Sequence, residues 1–342
     1  MKKTVLLLLA LLCFTPFATD AMGAQKQVVV YNWTEFIPQD VLADFEKETG
    51  IKVVYSIFES NEAMFAKVKM VGGKGYDVIF PSSYFVELMH KADLLQRLNH
   101  EKLPNLKHLD PMLMDQAYDP KNQYSIPYMW GSLGLSYNTK HIPKGSLNKW
   151  SQLTNPAYSG QILLINDLRD AFGLALRANG YSLNSRNPEE IRQAYEWLSA
   201  LKKHIKVFDV ETIKQNLISG EVWISPIWDG NYLVALEENE DLEYVFPEDG
   251  AVYWVDSMVI SQAAPNLENA YAFLNFMMKP EVAARCMEEY RYISPNLAGQ
   301  KLIPEGTVLL PPPHLLRQAE FIGDVGEALS IYSKYWDLLK TQ

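Results

Sequence analysis

Residues 28–50 read VVVYNWTEFIPQDVLADFEKETG. The run 28–33 is unbroken β-favouring sequence, so it predicts a strand. Pro38 then opens a segment in which Val41, Leu42 and Phe45 recur at helical spacing until Gly50, a residue suited to ending a helix. Strand, loop and helix follow within 23 residues, and the same order returns downstream. Strands are predicted at 53–57 and 76–80 and helices at 61–71 and 84–92, each tied to the next by a short polar link. Alternation of this kind predicts an α/β fold with a parallel sheet covered by helices. Ligands of such sheets sit beyond the carboxyl ends of the strands, here the loops 33–38 and 81–84.

A second alternating unit begins at 161–165, a strand ending in Asn166-Asp167, and continues through helices at 169–177 and 188–203 to a strand at 222–227. That last strand also ends in a polar turn, Trp228-Asp229-Gly230. Residues 126–138, with Pro127, Gly131 and Gly134, read as a crossing between the units, and 253–261 as the return crossing. The chain is expected to divide into one lobe of 25–134 and 257–301 and a second of 135–256 and 302–342, with the cuts after 134 and 256 inside these crossings. The tail, 314–339, is amphipathic and predicted helical.

The full chain of 342 residues, 48% hydrophobic and 21% charged, has room for two domains of about 150 residues each. Its first 24 residues stand apart. Lys2 and Lys3 precede an apolar run over 5–17 and a small-residue zone at Ala18, Ala21, Gly23 and Ala24, the pattern of a secretory signal peptide cut after Ala21 or Ala24. Lipidation at Cys13 is disfavoured by the bulky Leu11 and Leu12 before it. No other stretch reaches the ~18 apolar residues of a membrane span.

Removing that segment takes two positive charges and one negative from a formal net charge of -10, leaving -11. A surface so acidic does not suit a partner held by phosphate contacts, which excludes nucleic acid. Cys286 is then the lone cysteine, so no intramolecular disulfide forms, and its helical surroundings suit a small buried apolar residue. Enzyme signatures are scarce: there is no Gly-x-Ser-x-Gly, no His-Glu-x-x-His, and Gly72-Gly73-Lys74-Gly75 lacks the spacing of a phosphate loop. The six histidines are dispersed and none pairs at metal-ligand spacing. No cofactor is expected.

What remains is a set of carboxylates and aromatics at predicted strand ends: Trp33-Thr34-Glu35, Ser82-Ser83-Tyr84, Asp167-Leu168-Arg169-Asp170, Trp228-Asp229, Trp254-Val255-Asp256 and Tyr292. Singly, a strand Trp reads as core and an Asp after a strand as a helix cap. Their recurrence in both units reads as a site.

With YNWTE at 31–35, YDVIFPS at 76–82, IND at 165–167, WVDS at 254–257 and DVG at 324–326, the mature chain resembles the periplasmic spermidine/putrescine-binding proteins of ABC polyamine uptake systems. The resemblance implies a two-lobed type II periplasmic binding fold, with ligand in the interlobe cleft and closure around it. It implies an aromatic box of Trp33, Tyr84, Trp228, Trp254 and Tyr292, and carboxylates Glu35, Asp167, Asp170 and Asp256 facing ammonium groups, with Thr34 and Ser82 as hydrogen-bonding neighbours. The permease of an ABC transporter is the implied partner, the location the periplasm and the state a monomer. Elementary chemistry agrees, since protonated amines on methylene spacers need carboxylates with apolar ring faces between them.

Two positions depart from the family's pattern. Asp170 stands where spermidine binders carry Glu, and Ile322 where they carry Gln, with Gln318 one helical turn earlier as a substitute. Both departures concern one amine end, which leaves the preferred polyamine open. Rival readings on the same scaffold are a polyamine sensor docking on a membrane signalling receptor, a ferric-ion binder using Tyr290 and Tyr292, and an enzyme.

Overall fold

The computed structural model describes residues 26–316 and 319–341, so the signal peptide, Cys13 and Gln318 lie outside the described residues. Its strands are β1 Gln27–Trp33, β2 Lys52–Phe58, β3 Val78–Ile79, β4 Ser125–Asn138, β5 Ile162–Ile165, β6 Ile205–Asp209, β7 Ile224–Trp228, β8 Leu242–Val245 and β9 Val252–Ile260. The longer helices are α1 Gln39–Thr49, α2 Asn61–Met70, α3 Ser83–Lys91, α4 Leu168–Ala178, α5 Pro188–Lys202, α6 Ile213–Ile218, α7 Asp229–Glu238, α8 Leu267–Met277 and α9 Pro280–Tyr290. Two single turns, α10 Leu297–Gln300 and α11 Pro313–Leu316, precede the last helix, α12 Leu329–Thr341.

The strands join in one sheet of order β2-β1-β3-β9-β4-β7-β5-β6, with β8 also on β4. At the two ends the pairing is parallel, as the alternation of strand and helix predicts: β1 runs with β2 and β3, and β5 with β6 and β7. The middle corrects that expectation. β9 is antiparallel to both β3 and β4, and β4 is antiparallel to β7 and β8. β4 and β9 are buried at every position, so no polar alternation marks their direction or their neighbours. Both lie on the stretches read as crossings, and they tie the halves together through one long ladder.

Around this sheet the core divides by half. α8 and α9 cover β1 and β3, with Phe45 of α1 fully buried and edge-on to Phe273 and Phe276 at 5.2 and 5.3 Å. Truncating such a ring to Ala typically costs about 3–5 kcal/mol. Cys286 of α9 is fully buried in the same cluster. α4, α5 and α12 cover β5 and β7, where Phe172 meets Tyr332 edge-on at 5.1 Å.

Two local expectations are corrected. The strand at 76–80 shrinks to Val78–Ile79, because the Asp77 carboxylate accepts from Val29 N–H and the Asn266 side chain, taking the place of a ladder bond. The tail is not one helix. Residues 319–325 are not helical, Ile322 N–H donating to the Tyr253 carbonyl at 2.8 Å, before Asp324 accepts from Gly326 N–H and α12 begins. Gly326 stands at φ +58°, a turn conformation that a glycine takes without strain.

Candidate ligand-binding site

The loops after β1, β3 and β5, the start of α7, the centre of β9 and the turn after α9 converge on one cavity of about 270 Å³. All eleven residues singled out from the sequence line it: Trp33, Thr34, Glu35, Ser82, Tyr84, Asp167, Asp170, Trp228, Trp254, Asp256 and Tyr292. Both halves of the chain contribute, since Trp33 ends β1 and Ser82 and Tyr84 follow β3, whereas Asp167 and Asp170 follow β5 and Trp228 ends β7.

Asp256 sits on β9, 6% exposed. Among the described residues its carboxylate accepts one hydrogen bond, from Ser82 Oγ at 2.6 Å, and Ser82 is itself fixed by Asn61, whose carboxamide also donates to the Tyr84 hydroxyl at 3.1 Å. No cationic side chain pairs with Asp256 among the described residues. Burial therefore pushes its carboxyl up to about 7, against the smaller pull of the Ser82 hydroxyl. Beside it, Trp254 and Tyr292 meet edge-to-face with centroids 5.2 Å apart, and the Tyr292 hydroxyl donates to Asn231 at 3.1 Å.

A second acidic station opens α4. Asp167 caps the helix by accepting from Arg169 and Asp170 N–H, so the cap reading and the site reading hold together. Asp170 is buried and accepts from the Trp228 indole N–H at 3.1 Å. Burial raises both carboxyls, and the Asp167 charge lifts Asp170 further, well above the ordinary range. Arg169 lies behind the pair, fully buried, stacked over Tyr84 and Tyr332 and donating to the Gly323 and Leu183 carbonyls and to Asn184. It anchors the extended tail to the floor of the cavity.

Glu35 is placed differently from the other carboxylates. It occupies the loop after β1 at φ +52° and is exposed, with its carboxylate 3.0 Å from Lys214 of α6. Asp229, by contrast, does not line the cavity. It is fully buried behind Gly131, accepting from Ser132, and burial pushes its carboxyl up to about 7. A Cβ at Gly131 would come within 2.6 Å of the Asp229 carboxylate and 2.8 Å of the Trp254 ring, so the crossing strand needs glycine there. Among the described residues no cluster of three or more His, Cys, Asp or Glu side chains has the arrangement of a metal site.

The family model of bacterial extracellular solute-binding proteins matches residues 40–304 of this sequence. The chain belongs to this family. The solute-binding protein is 40% identical over 314 residues, 91% of its length and 90% of the relative's, to the spermidine/putrescine-binding periplasmic protein of Escherichia coli K12. It is 32% identical over 324 residues to the putrescine-binding periplasmic protein SpuD of Pseudomonas aeruginosa UCBPP-PA14, covering 89% of this chain and 88% of that one. Among solved structures, it superposes on a putative spermidine/putrescine ABC transporter protein from Listeria monocytogenes with a TM-score of 0.87 at 38% identity, covering 92% of this chain and 99% of that one. The Tp0655 (TpPotD) lipoprotein of Treponema pallidum gives 0.85 at 28% identity, over 93% and 100% of the two chains. The solute-binding protein has the two-lobed type II fold, and its cavity lies in the cleft between the halves.

Several lining residues of the solute-binding protein carried no mark in the sequence. Asn61, which aligns Ser82 and Tyr84, opens α2 as any polar residue does, and Lys214 stands in α6, whose buried Ile213 and Leu217 make too short an apolar pattern to mark it. Arg169 belonged to the marked Asp167-Leu168-Arg169-Asp170 turn, but nothing in the spacing showed that it points away from the cavity. Ile322 lines the cavity with an apolar side chain, and its carbonyl accepts from Ser83 at 2.8 Å.

Proposed function

We propose that this protein binds linear polyamines in the periplasm and delivers them to the membrane permease of an ABC transporter. The observation that carries the reading is Asp256, a buried carboxylate in the cleft with no cationic partner of its own, set against Trp254 and Tyr292. A buried charge without a partner is costly, and an ammonium between ring faces supplies both the counter-charge and the apolar contact. Asp167 and Asp170, two carboxylates against the one guanidinium of Arg169, offer a second acidic station, and Trp33, Trp228 and Tyr84 supply faces for the methylene spacers. The names of the relatives, spermidine- and putrescine-binding proteins of the periplasm, favour the same ligand class.

In this reading residues 1–24 direct export, and the lobes 25–134 with 257–301 and 135–256 with 302–342 close around the ligand as a monomer without turning it over. Ligand favours the closed form because only there do carboxylates from both lobes reach one chain of amines. A ferric-ion reading fits poorly: burial pushes the Tyr290 phenol up to about 12 and Tyr292 well above its ordinary value, which opposes the phenolate a ferric ion requires.

A thermal-shift panel tests the reading. Spermidine or putrescine at a hundred times its dissociation constant adds ~2.7 kcal/mol of stability and raises the midpoint by several degrees, whereas glucose and glutamate leave it unmoved. No response to either amine overturns the proposal.

A further inference from the structure

The cavity lining holds six carboxylates, Glu35, Glu59, Asp167, Asp170, Glu211 and Asp256, and among the described residues a single cation, Lys214. A cationic side chain in a cleft built for cations is out of place unless it does something there. Lys214 is not an ordinary surface lysine swung toward water: its side chain is only 16% exposed, whereas that of its partner Glu35 is 63% exposed. Of the three rim carboxylates it pairs with Glu35 alone, at 3.0 Å, although Glu211 precedes it by three residues. The pair crosses the cleft, since α6 belongs with β5 and β7, and Glu35 follows β1.

We propose that Lys214 is a built-in competitor that selects among polyamines by charge count: its ammonium, the same chemical group as a polyamine terminus, holds Glu35 and withholds that station from the ligand. The proposal rests on the polyamine reading of the cleft. Asp256 and the Asp167–Asp170 pair are free of any lysine and meet two ammonium groups. A diamine is satisfied by those two stations and leaves the Lys214–Glu35 pair intact. A triamine whose third ammonium reaches Glu35 must first displace Lys214, exchanging one ion pair for another with no net gain and leaving a lysine ammonium beside a bound one. The residue thus lowers the benefit of the third charge without touching the first two.

Calorimetric titration of the mature protein with putrescine and spermidine, repeated for Lys214→Met, Glu35→Gln and the double variant, tests the proposal. Lys214→Met keeps the stem that packs in the rim and removes the charge, and Lys214→Gln serves as a second variant. Freed of its competitor, Glu35 tightens spermidine binding by about tenfold and putrescine by less than about threefold, and in the Glu35→Gln background the same change alters neither by more than about threefold. Three results overturn it: equal gains for both amines, a gain that persists without Glu35, or a loss for both, which would make the pair a latch stabilising closure. Wild-type protein that binds neither amine removes the polyamine reading and this inference with it, whereas wild-type binding with an unchanged putrescine-to-spermidine ratio in Lys214→Met removes the inference alone.

Discussion

Between pH 7 and pH 5 the empty cleft takes up protons that a bound ammonium must expel, and polyamine affinity falls accordingly. Asp256 sets the size of the effect. Its carboxyl is raised to about 7 by burial, whereas an ammonium alongside returns it toward the ordinary 3.8. The ligand amines stay protonated throughout, as Lys does. For one proton released from a group at about 7, affinity drops about fiftyfold on going from pH 7 to pH 5, or about 2 kcal/mol, and flattens above pH 8. The raised Asp167 and Asp170 carboxyls act in the same direction.

Stability of the empty protein moves oppositely. The folded state holds a proton on Asp256 that the unfolded chain has lost, so this contribution is fully present below the unfolded value near 4 and is lost as pH rises through 7. Asp229, raised to about 7 but outside the cavity, adds to the stability trend and not to the ligand trend. Isothermal titration at pH 5, 6, 7 and 8 in buffers of different ionisation enthalpy reads both the affinity and the protons released. Asp256→Asn, which still accepts from Ser82, weakens binding more than tenfold at pH 7.5, more than Glu35→Gln does, and flattens the slope. Affinity that does not change between pH 5 and pH 8, or a slope that stays as steep in Asp256→Asn as in the unmodified protein, refutes the reasoning.

Two further outcomes are expected. Asp170→Glu with Ile322→Gln lengthens the acid beside Trp228 and puts an amide into an apolar corner, and titrations then show spermidine gaining on putrescine and norspermidine by about tenfold. Arg169→Met removes the donors to Gly323, Leu183 and Asn184 and leaves Asp167 and Asp170 without the cation behind them, so chemical denaturation shows a loss of about 2–4 kcal/mol, part of which spermidine restores.

The first strand, helix and strand were legible because the Val-rich run and the spacing of Val41, Leu42 and Phe45 are local signals, and local signals survive folding. The carboxylate and aromatic set was legible for another reason: loops at strand ends collect on one side of an α/β sheet, so residues such as Asp167 and Trp228 gather whatever their distance in sequence. The direction of β9 was not legible, since a strand buried on both faces has no alternation to orient it. Nor was the tail. Its apolar spacing suits a helix, and tertiary bonds, among them those from Ile322 to Tyr253, from Gly323 to Asn184 and from Arg169 to Gly323, hold it out of one. Lys214 could not be read because a lone lysine in a six-residue helix looks like solvent-facing sequence until its partner, 179 residues away, is placed beside it.

In the polyamine reading, Asp256 and the Asp167–Asp170 pair each meet an ammonium group of the ligand. A crystal structure of the mature protein grown with spermidine tests it most directly. One ammonium should lie within hydrogen-bond distance of Asp256 between Trp254 and Tyr292, and another against the Asp167–Asp170 pair with methylenes over Trp33 or Trp228. Spermidine bound outside the cleft, or a cleft still empty at saturating spermidine, would contradict it.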